Sequence, residues 1–127
     1  MNTAQQSDLA SLLQEYLAAV EARDLDRCLD FYTDDAIIHF AMGVYKGRQA
    51  ITDWHRERFN ADLRVLQLDR VSSQGDELTC ELVITSKRLK AWRINTLRGK
   101  GTFRFENGKI KEARFSLAGA NPLEGWR

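Results

Sequence analysis

Apolar residues recur every three or four positions near the start of the chain, which predicts an amphipathic helix. Its stripe consists of Leu9, Leu12, Leu13, Tyr16, Leu17 and Val20. A short second helix is predicted to follow, with Asp24 or Asp26 as its N-cap. The same spacing predicts a third helix from about Arg48 to Phe59, and the residues that lie inward or at its edge are Ile51, Trp54, His55 and Phe59.

The period of the pattern shortens toward two after residue 62, which predicts long antiparallel strands. A short strand over 36–40 is expected before the third helix, with 43–47 as the connection between them. Turn residues mark one reversal at 72–76 and another at Asn107-Gly108, the strongest hairpin signal in the chain. Gly99 and Gly101 fall inside a strand pattern and predict a bulge or a sharp bend. Helices first and strands last indicate an α+β domain with helices on one face of an antiparallel sheet.

Length and composition fit one domain over residues 1–127, since 43% of the residues are hydrophobic. A net charge of +1 provides no global field for nucleic acid or an anionic membrane, so we expect neither as a partner. The chain shows no apolar run of membrane-spanning length and no signal-peptide pattern, which favours a cytoplasmic location. Cys28 and Cys80 are isolated in sequence and are expected to be buried, reduced thiols.

Two segments carry a resemblance to a known superfamily: YLAAVEARDLDRCLDFYTDDA over residues 16–36 and GTFRFENGKI over 101–110. They resemble the nuclear transport factor 2-like superfamily, also called the SnoaL-like or ketosteroid-isomerase-like fold. The resemblance implies a cone-shaped, strongly curved antiparallel sheet with the N-terminal helices on its concave face, enclosing one pocket. It also implies a homodimer and a protein without a cofactor. Members of this superfamily place very different chemistry in the pocket, or none, so the resemblance is specific for the fold only.

The resemblance allows two known activities to be tested against the residues. Ketosteroid isomerases use a tyrosine on the first helix, a basic aspartate on the first strand and a protonated aspartic acid on a later strand. Tyr16 matches the tyrosine, but Phe40 occupies the position of the base and Gly101 that of the acid. Limonene epoxide hydrolases use an aspartate, arginine, aspartate relay, and here Arg114 is followed by Phe115 where the aspartate would stand. Neither activity is expected, and the favoured interpretation of Tyr16 alone is a pocket or core tyrosine with a satisfied hydroxyl.

Three residues remain as candidate catalytic groups: His39, Tyr16 and Glu81. His39 lies on the first strand, and a histidine with an unperturbed pKa near 6.5 suits general acid–base work. Strict alternation offers the alternative that His39 points away from the face that holds Phe40. Glu81 would be a buried acid or base if its strand face is the concave one, and a solvent-facing residue otherwise. His55 is interpreted as a helix-edge residue, and the spacing of the histidines matches no metal motif, so no metal is expected.

Alternation also predicts an apolar wall on the inner face of the sheet. The candidate ligand-pocket residues are Tyr32, Phe40, Trp54, Phe103 and Phe115, and Phe105, Ala113 and Leu117 would share their face. Such a stripe is more often plain core than ligand wall, although the resemblance implies a fold in which the same residues commonly serve as both. A basic stretch over 87–104 could bind single-stranded nucleic acid or a phosphate or carboxylate group. The favoured interpretation is a solvated sheet face or loop, or the complement of an acidic surface on another subunit. The tail over 118–127 could be anchored by Leu123 and Trp126 or be disordered.

Two functions therefore stay open. The first is a cofactor-free enzyme that isomerises, cyclises or hydrates a small apolar molecule, for which His39→Ala should abolish turnover in a folded protein. The second is a non-catalytic dimeric module that stores or senses an apolar ligand and is indifferent to His39→Ala.

Overall fold

The computed structural model describes residues 2–40 and 43–117, with side chains from residue 8 to 116. The elements in chain order are α1 (Asn2–Glu21), α2 (Leu25–Asp30), β1 (Tyr32–Phe40), β2 (Gly43–Lys46), α3 (Arg48–Asn60), β3 (Arg64–Gln74), β4 (Glu77–Thr85), α4 (Lys87–Ala91), β5 (Leu97–Glu106) and β6 (Lys109–Leu117). The predictions for the tail over 118–127, anchoring or disorder, concern residues outside the described ranges. Within them, no helix combines the length and apolar character needed to span a membrane.

The strands form one curved, unclosed sheet in the order β2-β1-β6-β5-β4-β3. Four of its five neighbouring strand pairs are antiparallel, as predicted, whereas β1 and β6 run parallel. A parallel pair needs a long connection, and here most of the chain lies between the two strands. The α+β class with N-terminal helices on the sheet is confirmed.

The predicted helices are confirmed, with their apolar faces buried and the predicted cap in place at α2. Leu13 and Tyr16 of the α1 stripe are 0% and 2% exposed, because this stripe packs into the core. The Asp24 side chain accepts a hydrogen bond from the Arg27 amide and so caps α2. Helix α3 matches its predicted range to within one residue and contacts both β1 and β2.

Register and alternation divide the sheet into two faces. Residues paired across neighbouring strands point to the same side, and one such row comprises Ile38, Ala113, Phe103 and Leu78, all 0% exposed. This row belongs to the hydrophobic core together with α1 and α3, and we call its side the inner face. The row one residue along, with His39, Arg114, Thr102 and Thr79, lies on the opposite side, the outer face.

Several local predictions need correction. Strand β1 begins at Tyr32 rather than at residue 36, because Tyr32 pairs with Ile110 before a register shift. Residues 43–46 form the edge strand β2 instead of a plain connection, since they pair antiparallel with β1. The basic stretch contains a short helix, α4, that the sequence analysis missed, and the Ser86 side chain caps it by accepting from the Leu89 amide.

Of the two alternatives at Gly99 and Gly101, the bulge does not form, because the pairing of β5 with both neighbours is continuous there; the sharp bend stays a prediction. A Cβ added at Gly101 would lie 3.0 Å from the ring of Phe103. The missing side chain at this position therefore makes room for a core aromatic ring.

The hairpin at Asn107-Gly108 is confirmed, with φ angles of 54° and 79° at its two turn residues. Positive φ at both positions is the geometry that asparagine and glycine tolerate best. Cys28 and Cys80 are buried free thiols, as predicted.

Candidate functional site

A chain of three buried polar side chains crosses the interior between the helices and the inner face. The hydroxyl of Tyr32, on β1, donates to the hydroxyl oxygen of Tyr16, on α1, at 2.7 Å. Tyr16 Oη in turn lies 2.7 Å from Nε2 of His55, on α3. The other ring nitrogen, His55 Nδ1, is 2.8 Å from the carbonyl oxygen of Ile51. Three separate elements thus converge on one hydrogen-bonded chain, which we call the Tyr–Tyr–His chain.

The partners fix the direction of every hydrogen bond in this chain. A carbonyl oxygen only accepts, so His55 Nδ1 must carry the hydrogen that it donates to Ile51. Neutral imidazole then has an acceptor at Nε2, which receives the hydroxyl hydrogen of Tyr16. Tyr16 keeps a lone pair for the hydrogen from Tyr32. Each group therefore has a defined role, and Nε2 of His55, which accepts from Tyr16, is the basic end of the chain.

Burial sets the charge state of the chain. His55 is 1% exposed, and burial, which outweighs the hydrogen bond from Nδ1 to Ile51, lowers its pKa from 6.5 to about 4. Burial also raises the pKa of Tyr16 well above its usual value of 10.0, with a further contribution from neighbouring Tyr32. Burial likewise raises the pKa of Tyr32. At neutral pH the chain is uncharged, and His55 is available as a base.

An aromatic cluster continues from His55 along the inner face. The Trp54 ring stacks on Phe115 with centroids 5.6 Å apart and an interplanar angle of 10°. Phe40 meets Trp54 edge to face at 5.5 Å, and Phe103 meets Phe115 in the same way at 5.5 Å. The Trp54 and His55 rings are 5.0 Å apart, so the cluster and the Tyr–Tyr–His chain are continuous.

All five predicted ligand-pocket residues therefore lie on the helix side of the sheet, as alternation indicated. Four of them form the aromatic cluster and the fifth, Tyr32, belongs to the Tyr–Tyr–His chain. Their role in ligand binding stays a prediction.

The predicted catalytic trio does not come together. His39 lies on the outer face, opposite to neighbouring Phe40, and its Nε2 is 2.7 Å from Oε2 of Glu112. Glu81 also lies on the outer face, where its carboxylate is 3.0 Å from Nη1 of Arg98. Only Tyr16 of the three reaches the interior, because odd-numbered positions of β1 and β4 face outward. The prediction of one site that contains His39, Tyr16 and Glu81 is wrong, and the alternatives for His39 and Glu81 are what the fold adopts.

The prediction of His55 as a helix-edge residue is also wrong, because His55 is 1% exposed. Ile51, Trp54 and His55 follow one another at helical spacing and are all buried, so the stripe itself was the available signal. Tyr16 could not be identified as its partner, because the two residues are 39 positions apart.

Outer-face charges are largely paired with one another. Glu112 accepts from both His39 and Arg114, at 2.7 and 2.9 Å. Partial burial would raise the pKa of Glu112, but these contacts outweigh it and lower the pKa below its usual value. Two arginines of the basic stretch join the pattern, since Arg98 contacts Asp69 at 3.1 Å and Arg104 contacts Glu112 at 3.3 Å. This favours the solvated sheet face over an anion site for that part of the stretch.

Side chains able to hold a metal ion do not gather in the described ranges, where no group of three or more histidine, cysteine, aspartate or glutamate residues occurs. The chemistry that the Tyr–Tyr–His chain and the aromatic cluster offer is that of a neutral histidine, two phenols and apolar aromatic surface.

Comparisons with known proteins agree with this architecture. The model of the SnoaL-like domain family matches residues 13–113. No curated protein matches the sequence. The epoxide hydrolase/cyclase-like enzyme SalBIII, with a role in pyran ring formation in the polyether salinomycin, is similar in structure with a TM-score of 0.78 and 20% identity, over 90% of this chain and 92% of its own.

Two further solved structures are also similar to this chain in fold. A candidate polyketide cyclase from Sinorhizobium meliloti gives a TM-score of 0.75 at 16% identity, covering 87% of this chain and 98% of its own. An NTF2-like protein of unknown function from Cytophaga hutchinsonii gives 0.70 at 12% identity, covering 91% and 92%. At such identities the likeness concerns the fold alone.

Proposed function

The chain belongs to the SnoaL-like domain family, and from that premise we propose that it binds a small, largely apolar molecule on the inner face and rearranges it by proton transfer without a cofactor. The reaction would be an isomerisation, a cyclisation or a hydration. The observation that carries the proposal is the Tyr–Tyr–His chain, which ends in a neutral histidine whose Nε2 can take up a proton. The adjoining aromatic cluster offers the apolar surface that such a substrate needs.

Proton transfer would run along the existing hydrogen bonds. The substrate gives an acidic hydrogen to the Tyr32 oxygen, Tyr32 passes its own proton to Tyr16, and Tyr16 passes its proton to Nε2 of His55. The electron pair of the broken bond stays on the substrate as an enolate. Return of the proton to a different atom completes a rearrangement in which nothing is oxidised or reduced.

A neutral base suits this task in the interior. The imidazole of His55 carries no charge before the substrate binds, so no unpaired charge must be buried in the resting protein. The enolate and the imidazolium that form together are of opposite sign, and each stabilises the other in the low-dielectric interior.

The alternative is a non-catalytic, dimeric small-ligand-binding module. One observation favours it: each hydroxyl hydrogen of Tyr16 and Tyr32 is already used within the chain, and both residues are at most 3% exposed. In that case the Tyr–Tyr–His chain would fix the positions of α1, α3 and β1 and the ligand would contact the aromatic cluster alone.

Deuterium exchange distinguishes the two functions. We would incubate the protein with 2-tetralone, a small apolar ketone with acidic α-hydrogens, in D2O and follow loss of the α-proton NMR signal. The enzymatic proposal expects exchange above the buffer rate that His55→Gln and Tyr16→Phe reduce to background. Glu81→Gln and His39→Ala serve as matched controls, and both should exchange at the wild-type rate because their side chains lie on the outer face.

Exchange at the buffer rate in the wild type, or exchange that survives His55→Gln, would contradict the enzymatic proposal. Binding of 2-tetralone without exchange would leave the ligand-binding module as the better account.

Self-association and location complete the proposal. We expect a homodimer that forms through the outer face, where Val44, 63% exposed, lies beside paired charges of both signs. Light scattering of the wild type and of Val44→Asp tests this, since the variant should shift the mass toward the monomer.

Two free, buried thiols, Cys28 and Cys80, support a reducing compartment such as the cytoplasm.

A further inference from the structure

Two buried hydrogen-bond donors on α3 have no partner among the described residues. They are Nε1 of the Trp54 indole and Nη1 of the Arg58 guanidinium. Trp54 is 7% exposed, and the Arg58 side chain is 12% exposed. The two residues are one helical turn apart, and Cζ of Arg58 lies 5.2 Å from the centre of the Trp54 ring. Both donors therefore belong to one small region of the interior.

Burial of a cation with a donor atom that has no partner is energetically unfavourable and calls for an explanation. A buried donor without an acceptor destabilises the folded protein, and more so when the group is charged. Within the described part of the chain Arg58 has one ionic contact, between its Nη2 and Oε1 of Glu57; the contact is long at 3.3 Å, and the Glu57 side chain is 62% exposed. Contacts of that kind contribute little to stability. The nearby Arg88 adds a like charge, while burial already lowers the pKa of Arg58.

Two aromatic rings, those of Phe40 and Trp54, lie near the guanidinium. Its Cζ lies 4.5 Å from the centre of the Phe40 ring, close enough for a cation–π contact. Phe40 and Phe115 are only half-buried, so the aromatic cluster reaches the surface at this end. A ligand could therefore enter here with its apolar body against the rings and an acceptor group at the donors.

We propose that Arg58 and the Trp54 indole form an anion subsite that receives the carboxylate or other anionic oxygen group of an apolar, ring-containing ligand. The guanidinium supplies a charge-assisted hydrogen bond from Nη1, and the indole supplies a second donor. An anionic acceptor fits better than a neutral one because it also neutralises the buried cation.

This inference rests on the proposed function and narrows its substrate class. The subsite adjoins the Tyr–Tyr–His chain, since the Trp54 and His55 rings are 5.0 Å apart. An anionic group held at Arg58 would direct the remainder of the ligand along the aromatic cluster toward His55.

Calorimetric titration with two probes of equal shape tests the subsite: 1-naphthoate, which is anionic, and 1-naphthamide, which is neutral. The wild type should bind 1-naphthoate about tenfold more tightly or better, the effect of one charge-assisted hydrogen bond. Arg58→Met should abolish this preference and leave the affinity for 1-naphthamide unchanged. Trp54→Phe keeps an aromatic ring but loses the indole donor, and should reduce the preference in part.

Arg56→Met is the matched control, because Arg56 lies on the same helix but is exposed. It should keep the wild-type preference for 1-naphthoate. Arg58→Met should unfold at the same temperature as the wild type or a higher one, because an apolar side chain replaces an unpaired buried charge. Arg58→Lys provides a second variant, in which the charge stays and part of the preference should survive.

Equal affinity of the wild type for the two probes would overturn the subsite, and so would a preference that survives Arg58→Met or is lost equally in Arg56→Met. Absence of binding by either probe would overturn it as well. None of these results decides the proposed function, because deuterium exchange into 2-tetralone uses a neutral substrate that does not need the subsite.

Discussion

Protonation of His55 should weaken the protein as the pH falls below neutrality. The pKa of His55 is about 4 in the folded protein and near 6.5 in the unfolded chain. Between these two values the unfolded chain binds a proton that the folded protein does not, so acid favours unfolding. The contribution of neutral, buried His55 to the free energy of unfolding is fully present above pH 6.5 and is lost as the pH falls toward 4.

The expected size follows from about 1.36 kcal/mol per pH unit within this window. Between about pH 7.5 and about pH 5, His55 alone should lower the free energy of unfolding by roughly 2 kcal/mol. Nearly complete burial of His55, 1% exposed, means that solvent screening does not reduce this estimate substantially.

Urea unfolding at the two pH values provides the measurement, with His55→Gln as the reference. Glutamine can donate to Ile51 and accept from Tyr16 without titrating. The difference in stability between the wild type and His55→Gln should therefore shrink by about 2 kcal/mol on acidification. His39→Gln changes the only other histidine, and this variant should lose as much unfolding free energy on acidification as the wild type does. An unchanged difference between wild type and His55→Gln at both pH values would refute the assignment of a buried, neutral His55.

Four substitutions test the hydrogen bonds and the packing on the two faces of the sheet. Tyr16→Phe should cost at least about 1 kcal/mol more than Tyr32→Phe in chemical denaturation, because it leaves two buried groups, His55 Nε2 and the Tyr32 hydroxyl, without partners; equal costs would contradict the hydrogen-bond order. Phe103→Ala should cost about 3–5 kcal/mol, since Phe103 is 0% exposed in the core, and a loss below about 1 kcal/mol would place it elsewhere. His39→Ala should change stability by less than about 1 kcal/mol, as expected for a partly exposed ion pair, and a larger loss measured by thermal unfolding would indicate a buried role.

Local chemistry was enough to predict much of the fold. The stripe that contains Leu13 and Tyr16 specifies α1 because one face of the helix must be buried. Asn107-Gly108 specifies its hairpin because both residues tolerate positive φ. The parallel pairing of β1 with β6 could not be predicted in this way, since it joins residues far apart in the sequence.

The candidate site was harder to predict because it depends on which face each strand presents. Alternation already contained the answer for His39: once Phe40 packs against Trp54, its neighbour must point outward. Arg58 gave no such signal, because a charged residue on a helix is normally exposed. Its burial follows from the position of Phe40 over the guanidinium, a contact that only the assembled fold provides.

The state of His55 decides the central claim most directly, and nitrogen NMR of the imidazole measures it. In His39→Gln, His55 is the only histidine, so its two ring nitrogens can be assigned without ambiguity. We expect a neutral ring at neutral pH and near pH 5, with the hydrogen on Nδ1 and an unprotonated, hydrogen-bonded Nε2. A ring that is already cationic at pH 6, or one that carries its hydrogen on Nε2, would contradict the Tyr–Tyr–His chain as the base of this site.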